Sequence, residues 1–155
     1  MDRLALLRTL HVAGAVLLLG NVTVTGFWAT FLYRARRRVP FSAVARAILW
    51  TDVVFTALGG SLLAISGILL VMRRGYPVLG TPWLLRGISA LVLSTVVWLV
   101  LLLPIQWRLD HLAPEDEGTL RRLFLRWSVL GWAATLVLFY GLWCMVSKQP
   151  GGVVA

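Results

Sequence analysis

The sequence predicts an all-α protein, a four-helix transmembrane bundle of up-down topology, and three observations carry that reading. The chain is 59% hydrophobic and 14% charged, with a mean hydropathy of +0.85, whereas soluble domains carry about a quarter charged residues. Four stretches, about 9–32, 47–72, 87–107 and 127–147, reach the ~20 mostly apolar residues that a bilayer span needs. The arginines gather at the ends of those stretches and not along one face. The net charge of +9 therefore reads as membrane anchoring and not as a nucleic-acid surface. The spans use most of the 155 residues, so residues 1–155 form a single integral membrane domain.

The first span, Arg8–Phe31, carries the only deeply placed imidazole, His11. Its less apolar residues, His11, Gly14, Asn21, Thr25 and Trp28, recur at helical spacing within an arc of about 100°. That stripe has no use in lipid and predicts a face turned to partner helices. The basic start could open a secretory signal, but the apolar run is too long and no small-residue cleavage site follows. Arg34, Arg36, Arg37 and Arg38 end the span, Pro40 breaks the helix, and Phe41–Arg46 is expected to be a short connector.

The second span holds Asp52 and the small residues Gly59, Gly60, Ala64 and Gly67. The 60/64 pair has the small-xxx-small spacing that brings membrane helices together. A loop with turn signals at Gly75, Pro77, Gly80 and Pro82 leads to the third span. There Ala90 and Ser94 repeat the small spacing, and Pro104 should loosen the last turn. The acids Glu115, Asp116 and Glu117 precede Arg121, Arg122 and Arg126, which suits the dipole of a fourth helix starting near Pro114 and running to Ser147. The tail from Lys148 reads as disordered. Trp28, Trp50, Trp107 and Trp127 mark one membrane interface, Trp83 and Trp143 the other.

The loops after spans one and three hold nine of the fifteen lysines and arginines, and the termini and middle loop hold six. This predicts a multi-pass protein of the cytoplasmic (inner) membrane with both termini outside the cytoplasm. The bilayer itself is the first partner, and the small-residue faces admit a homo-oligomer.

Few residues can carry chemistry. His11 and His111 fall at opposite ends of an up-down bundle, roughly 30 Å apart, so they cannot share one metal. As a haem ligand, His11 would have Met145 or an open position opposite it, and Arg8 and Arg86 near the propionates. The bland alternative is an imidazole that bonds a neighbouring helix. Asp52 is the only acid well inside a span, where an ionisable group costs at least ~2.5 kcal/mol unless paired or facing water. Its candidate partners are Gln106, Arg108 and Arg34, in a salt bridge at the cytoplasmic rim or a proton or ion relay. Asn21 and Thr25 suit interhelical hydrogen bonding. The lone Cys144 excludes an intramolecular disulfide. No phosphate loop, hydrolase triad or zinc cluster is visible.

The pattern TLH-x8-GN-x4-G-x-W over Thr9–Trp28, WTD-x2-F over Trp50–Phe55, SG at Ser66–Gly67 and PW at Pro82–Trp83 resembles a bacterial family of four-helix integral membrane proteins designated as a domain of unknown function. LH-x8-G is also similar to the first helix of CopD-like membrane domains and HemJ-type oxidases. The latter likeness implies that His11 takes part in binding haem b. Membrane redox chemistry with a quinone or a redox partner subunit would follow. Leu18 departs from the aromatic residue usual in those relatives, and the only lysine lies in the tail. The rival expectation is a non-catalytic accessory or transport-type module without a cofactor.

Overall fold

The computed structural model describes residues 2–38, 41–113 and 116–148. Four helices account for nearly all of them: α1 (Arg3–Arg34), α2 (Phe41–Arg74), α3 (Pro82–Asp110) and α4 (Glu117–Ser147). Each is long and apolar enough to cross a membrane, and among the described residues there is no strand. Even α3, with 29 residues, extends about 43 Å at 1.5 Å per residue, so every helix outruns the ~30 Å hydrocarbon layer.

Local chemistry sets the ends. The Asp2 carboxylate accepts the Leu4 N–H (3.0 Å) to start α1, and Asp116 accepts the Thr119 N–H (2.9 Å) to start α4. Gly75 closes α2 at φ 65°, donating its N–H to the Val71 carbonyl. Pro82 opens α3 instead of closing a turn, because the first helical position needs no N–H. Phe41–Arg46 is not a connector but the first turns of α2: Phe41, Val44 and Ala45 fall on one helical face and are buried. Pro40, Pro114, Glu115 and the tail beyond Lys148 lie outside the described residues.

All neighbours run antiparallel. His11 near the start of α1 bonds Leu63 in the second half of α2, Arg46 on α2 pairs with Asp110 at the end of α3, and Tyr33 at the end of α1 stacks on Phe124 near the start of α4. Two helices are interrupted by a wide turn. At Asp52–Thr56 and Trp98–Leu102 the hydrogen bonds reach one residue further than in an α-helix, with Ala57 N–H meeting the Asp52 carbonyl and Leu103 N–H the Trp98 carbonyl. Pro104 follows the second turn and leaves the Val100 carbonyl without its α-helical donor, the loosening its position predicts. No proline explains the first, which carries Asp52.

These turns divide the bundle. Ala57–Arg74 packs along α1, and Pro82–Val97 packs along α4; among the described residues Ala57–Arg74 makes no close backbone contact with α3 or α4, and Pro82–Val97 none with α1 or α2, so the pairs meet there only where α1 touches α4. Bare backbone makes the first seam. A Cβ added at Gly14 would lie 2.6 Å from the Leu63 nitrogen, and one at Gly59 2.8 Å from the Leu18 nitrogen. The close approach thus falls at Gly14 and Gly59, not at the 60/64 pair. The second seam joins Gly87 and Ala90 to Gly141, with Ser94 donating to the Ala134 carbonyl at 3.1 Å.

At the other end all four helices converge on a plug around Ala29, Phe41, Leu102, Leu109, Phe124 and Trp127. Tyr33 stacks on Phe124 with ring centroids 3.9 Å apart, and Phe41 meets both rings edge-on. Arg46–Asp110 (2.9 Å) and Arg36–Glu117 (3.7 Å) rim this end. Trp127 is therefore core and not an interface marker, whereas Trp28, Trp50 and Trp107 are exposed as an aromatic belt would be.

A cavity between two helix pairs with a polar floor

Where the two helix pairs part, they leave a partly open cavity of about 330 Å³ between them. Leu18, Val22, Leu91 and Leu138 supply apolar wall, and Gly60, Ala64, Gly131 and Ala134 keep it wide. A Cβ at Gly60 or Gly131 would meet nothing within 4 Å. Leu102 and Trp127 belong both to the plug and to the cavity wall, so the plug is its floor. Both wide turns face this space, through Asp52 and Thr56 on one side and Trp98 and Leu102 on the other.

Asp52 sits in that floor and is only 5% exposed. Asn21 Nδ2 donates to Asp52 Oδ1 at 2.9 Å and lies 3.0 Å from Thr56 Oγ1, while Gln106 Nε2 donates to Asp52 Oδ2 at 2.5 Å. Thr25 Oγ1 donates to Asn21 Oδ1 at 3.4 Å. Helices α1, α2 and α3 thus meet in one polar cluster, and burial there is tolerated because each Asp52 oxygen accepts a hydrogen bond. Asn21 bonds between helices as its position on the stripe predicts, but it does so as part of the site.

The expected salt bridge of Asp52 with Arg34 or Arg108 does not form: among the described residues no lysine or arginine pairs with Asp52, and the rim pair is Arg46–Asp110. Gln106, the third expected partner, takes that place. Four buried polar atoms around the floor have no protein partner among the described residues: Gln106 Oε1, Trp98 Nε1, Trp127 Nε1 and Ser128 Oγ. Such groups are the ones that ordered water or a bound polar group satisfies.

The other sequence-predicted residues lie elsewhere. His11 is half-buried on the α1–α2 seam, its Nδ1 2.9 Å from the Leu63 carbonyl and 3.3 Å from Ser66 Oγ, its ring against Gly67. Met145 packs on Gly87 across the α3–α4 seam. Arg8 and Arg86 are exposed. His111 stacks on Trp107 at the opposite end from His11. Trp28 is 61% exposed and drops out of the inward stripe, leaving His11, Gly14, Asn21 and Thr25 to make it.

Among the described residues no three His, Cys, Asp or Glu side chains gather as a metal cluster. Trp98, Ser128 and Gly131 were not singled out as site residues by sequence reasoning. The small and polar face of Ser128, Gly131 and Thr135 on α4 was their one legible signal.

No curated protein and no solved structure matches the chain. The model of one family, described as "Predicted integral membrane protein (DUF2269)", matches residues 5–149, nearly the whole length. The chain belongs to that family of predicted integral membrane proteins, as a multi-pass member with four spans.

Proposed function

We propose that the protein is a membrane module of accessory or transport type whose working part is the cavity between the helix pairs. One observation carries this reading: a space of about 330 Å³ is held open by residues that lack side-chain bulk, above a carboxylate that no cation among the described residues pairs. Ligand pockets take this form, mostly apolar walls with a few convergent polar groups. Arginine asymmetry supports a cytoplasmic-membrane setting with both termini outside. The test is native mass spectrometry of the protein released from mild detergent, with Gly60→Leu and Gly131→Leu as controls. A small molecule retained by the wild type and lost in both folded variants supports the reading; equal retention in all three refutes it.

A second reading, binding of haem b through His11, is favoured by the Nδ1 contact with the Leu63 carbonyl. If Nδ1 carries the proton, Nε2 is left for a metal, as in many histidine ligands. The likeness to CopD-like and HemJ-type first helices supports it. Arg8 and Arg86 would serve the propionates, Met145 or an open position would complete the axial pair, and electrons would pass to a quinone or partner subunit. Among the described residues the cavity wall has no histidine, methionine or cysteine, so this reading rests on His11 outside the cavity. Its test is the oxidised and reduced absorption spectrum: a Soret band lost in His11→Ala and kept in His111→Ala.

A further inference from the structure

We infer that the cavity takes a lipophilic organic cation, an inference that rests on the cavity being the working site. Three features of the cavity select that charge and chemistry. Among the described residues Asp52 is the only ionisable side chain in the cavity wall, with no lysine, arginine or histidine beside it. An anionic headgroup would therefore find no counter-charge there and would face a carboxylate. Next, Asp52 is unpaired by any cation of the described chain, and its hydrogen bonds with Asn21, Gln106 and Thr56 leave the carboxylate with acceptor capacity to spare. Finally, three indoles, Trp98, Trp127 and Trp132, belong to the wall. Tryptophan is the strongest aromatic partner of an organic cation in a desolvated site.

Size and setting agree. A cavity of this volume suits a compact drug-sized ion, and a hydrated metal ion would gain nothing from its apolar walls. An organic cation whose charge is shielded by hydrocarbon enters such a site at a lower desolvation cost than an ammonium ion.

The experiment uses the full chain in detergent micelles and two probes of matched shape and opposite charge, tetraphenylphosphonium and tetraphenylborate, in equilibrium dialysis. Saturable, one-site binding of the phosphonium is expected, with the borate binding only as it does to empty micelles. Asp52→Asn should weaken the phosphonium at least about tenfold, the scale of one lost buried charge contact. Gly131→Leu, whose Cβ meets nothing within 4 Å and whose side chain would take up the space, should abolish it. Equal binding of both probes overturns the inference, as does phosphonium binding that survives in Asp52→Asn but is lost in Gly131→Leu; in that case the cavity stands and the cation does not. Binding that Gly131→Leu leaves intact overturns the cavity reading itself. Should Asp52→Asn fail to fold, the contrast of the two probes on the wild type decides.

Discussion

Replacing Gly14 with alanine adds one methyl group where the α1 and α2 backbones already touch. Its Cβ would sit 2.6 Å from the Leu63 nitrogen and 2.9 Å from both the Leu63 Cα and the Gly59 carbonyl oxygen. Non-bonded heavy atoms prefer about 3.5–4.0 Å, so the helices must part by close to an ångström. All three neighbours are backbone, and no rotamer change relieves the clash. Overpacking of this kind costs about 1–3 kcal/mol, while alanine regains up to about 1 kcal/mol of helix propensity. With the full regain the net loss is about 0–2 kcal/mol. Parting the seam also strains the His11–Leu63 contact of 2.9 Å.

Gly60→Ala is the matched control, since its Cβ meets nothing within 4 Å and only the propensity gain of up to about 1 kcal/mol remains. The assay is unfolding in mixed micelles titrated with a denaturing detergent, followed by tryptophan fluorescence. Gly14→Ala should unfold at a lower midpoint than Gly60→Ala. If Gly14→Ala proves as stable as Gly60→Ala, the α1–α2 seam is not where the structure puts it.

Three further outcomes follow from the same contacts. Asn21→Ala removes the bonds to Asp52 and Thr56 and should cost about 1 kcal/mol in the same titration, since hydrogen bonds between membrane helices average ~0.6 kcal/mol each; no change would place the cluster outside the fold's energetics. Gly87→Ala meets only the flexible Met145 side chain, so it should cost less than Gly14→Ala, and a larger loss would contradict the packing of the α3–α4 seam. Bonds from the Thr119 backbone N–H and then its hydroxyl, with the Arg122 charge beyond them, hold the Asp116 carboxyl below the ordinary carboxylate range. The cap is therefore complete above that range and is lost as pH falls through the lowered value. Amide exchange at Thr119, measured by NMR in micelles and corrected for the intrinsic pH dependence, should keep its protection through the ordinary carboxylate range and lose it below, and protection unchanged to the lowest pH would refute the cap.

The long helices were legible because hydrocarbon admits little else: a continuous apolar run of this length has no alternative fold in a membrane. The inward stripe on α1 was legible for the same reason, since His11, Gly14, Asn21 and Thr25 would each be wasted on lipid. What escaped sequence reasoning depended on rotation and pairing. Phe41–Arg46 lies outside the second apolar run, and only the packing of Phe41 on Phe124 and Tyr33 makes it helix. The glycines at 59 and 60 are adjacent, yet one touches Leu18 and the other faces open space. A turn of 100° separates those fates, and the wide turn at Asp52–Thr56 shifts the phase of everything after it. Asp52 was legible as the one acid deep in a span, with Gln106, Arg108 and Arg34 as its candidate partners. The partner is Gln106, because Pro104 and the wide turn before it place that amide inside the bundle while Arg46 takes Asp110 at the rim.

The account turns on the cavity between the helix pairs, and thiol labelling tests it most directly. Cysteine placed at Gly60 in a Cys144→Ser background should react with a small maleimide, whereas cysteine at Ala90, sealed in the α3–α4 seam, should not. Adding Gly131→Leu from the facing helix should then suppress the reaction at position 60. Labelling at position 60 that ignores Gly131→Leu, or that is as slow as at position 90, would contradict the cavity.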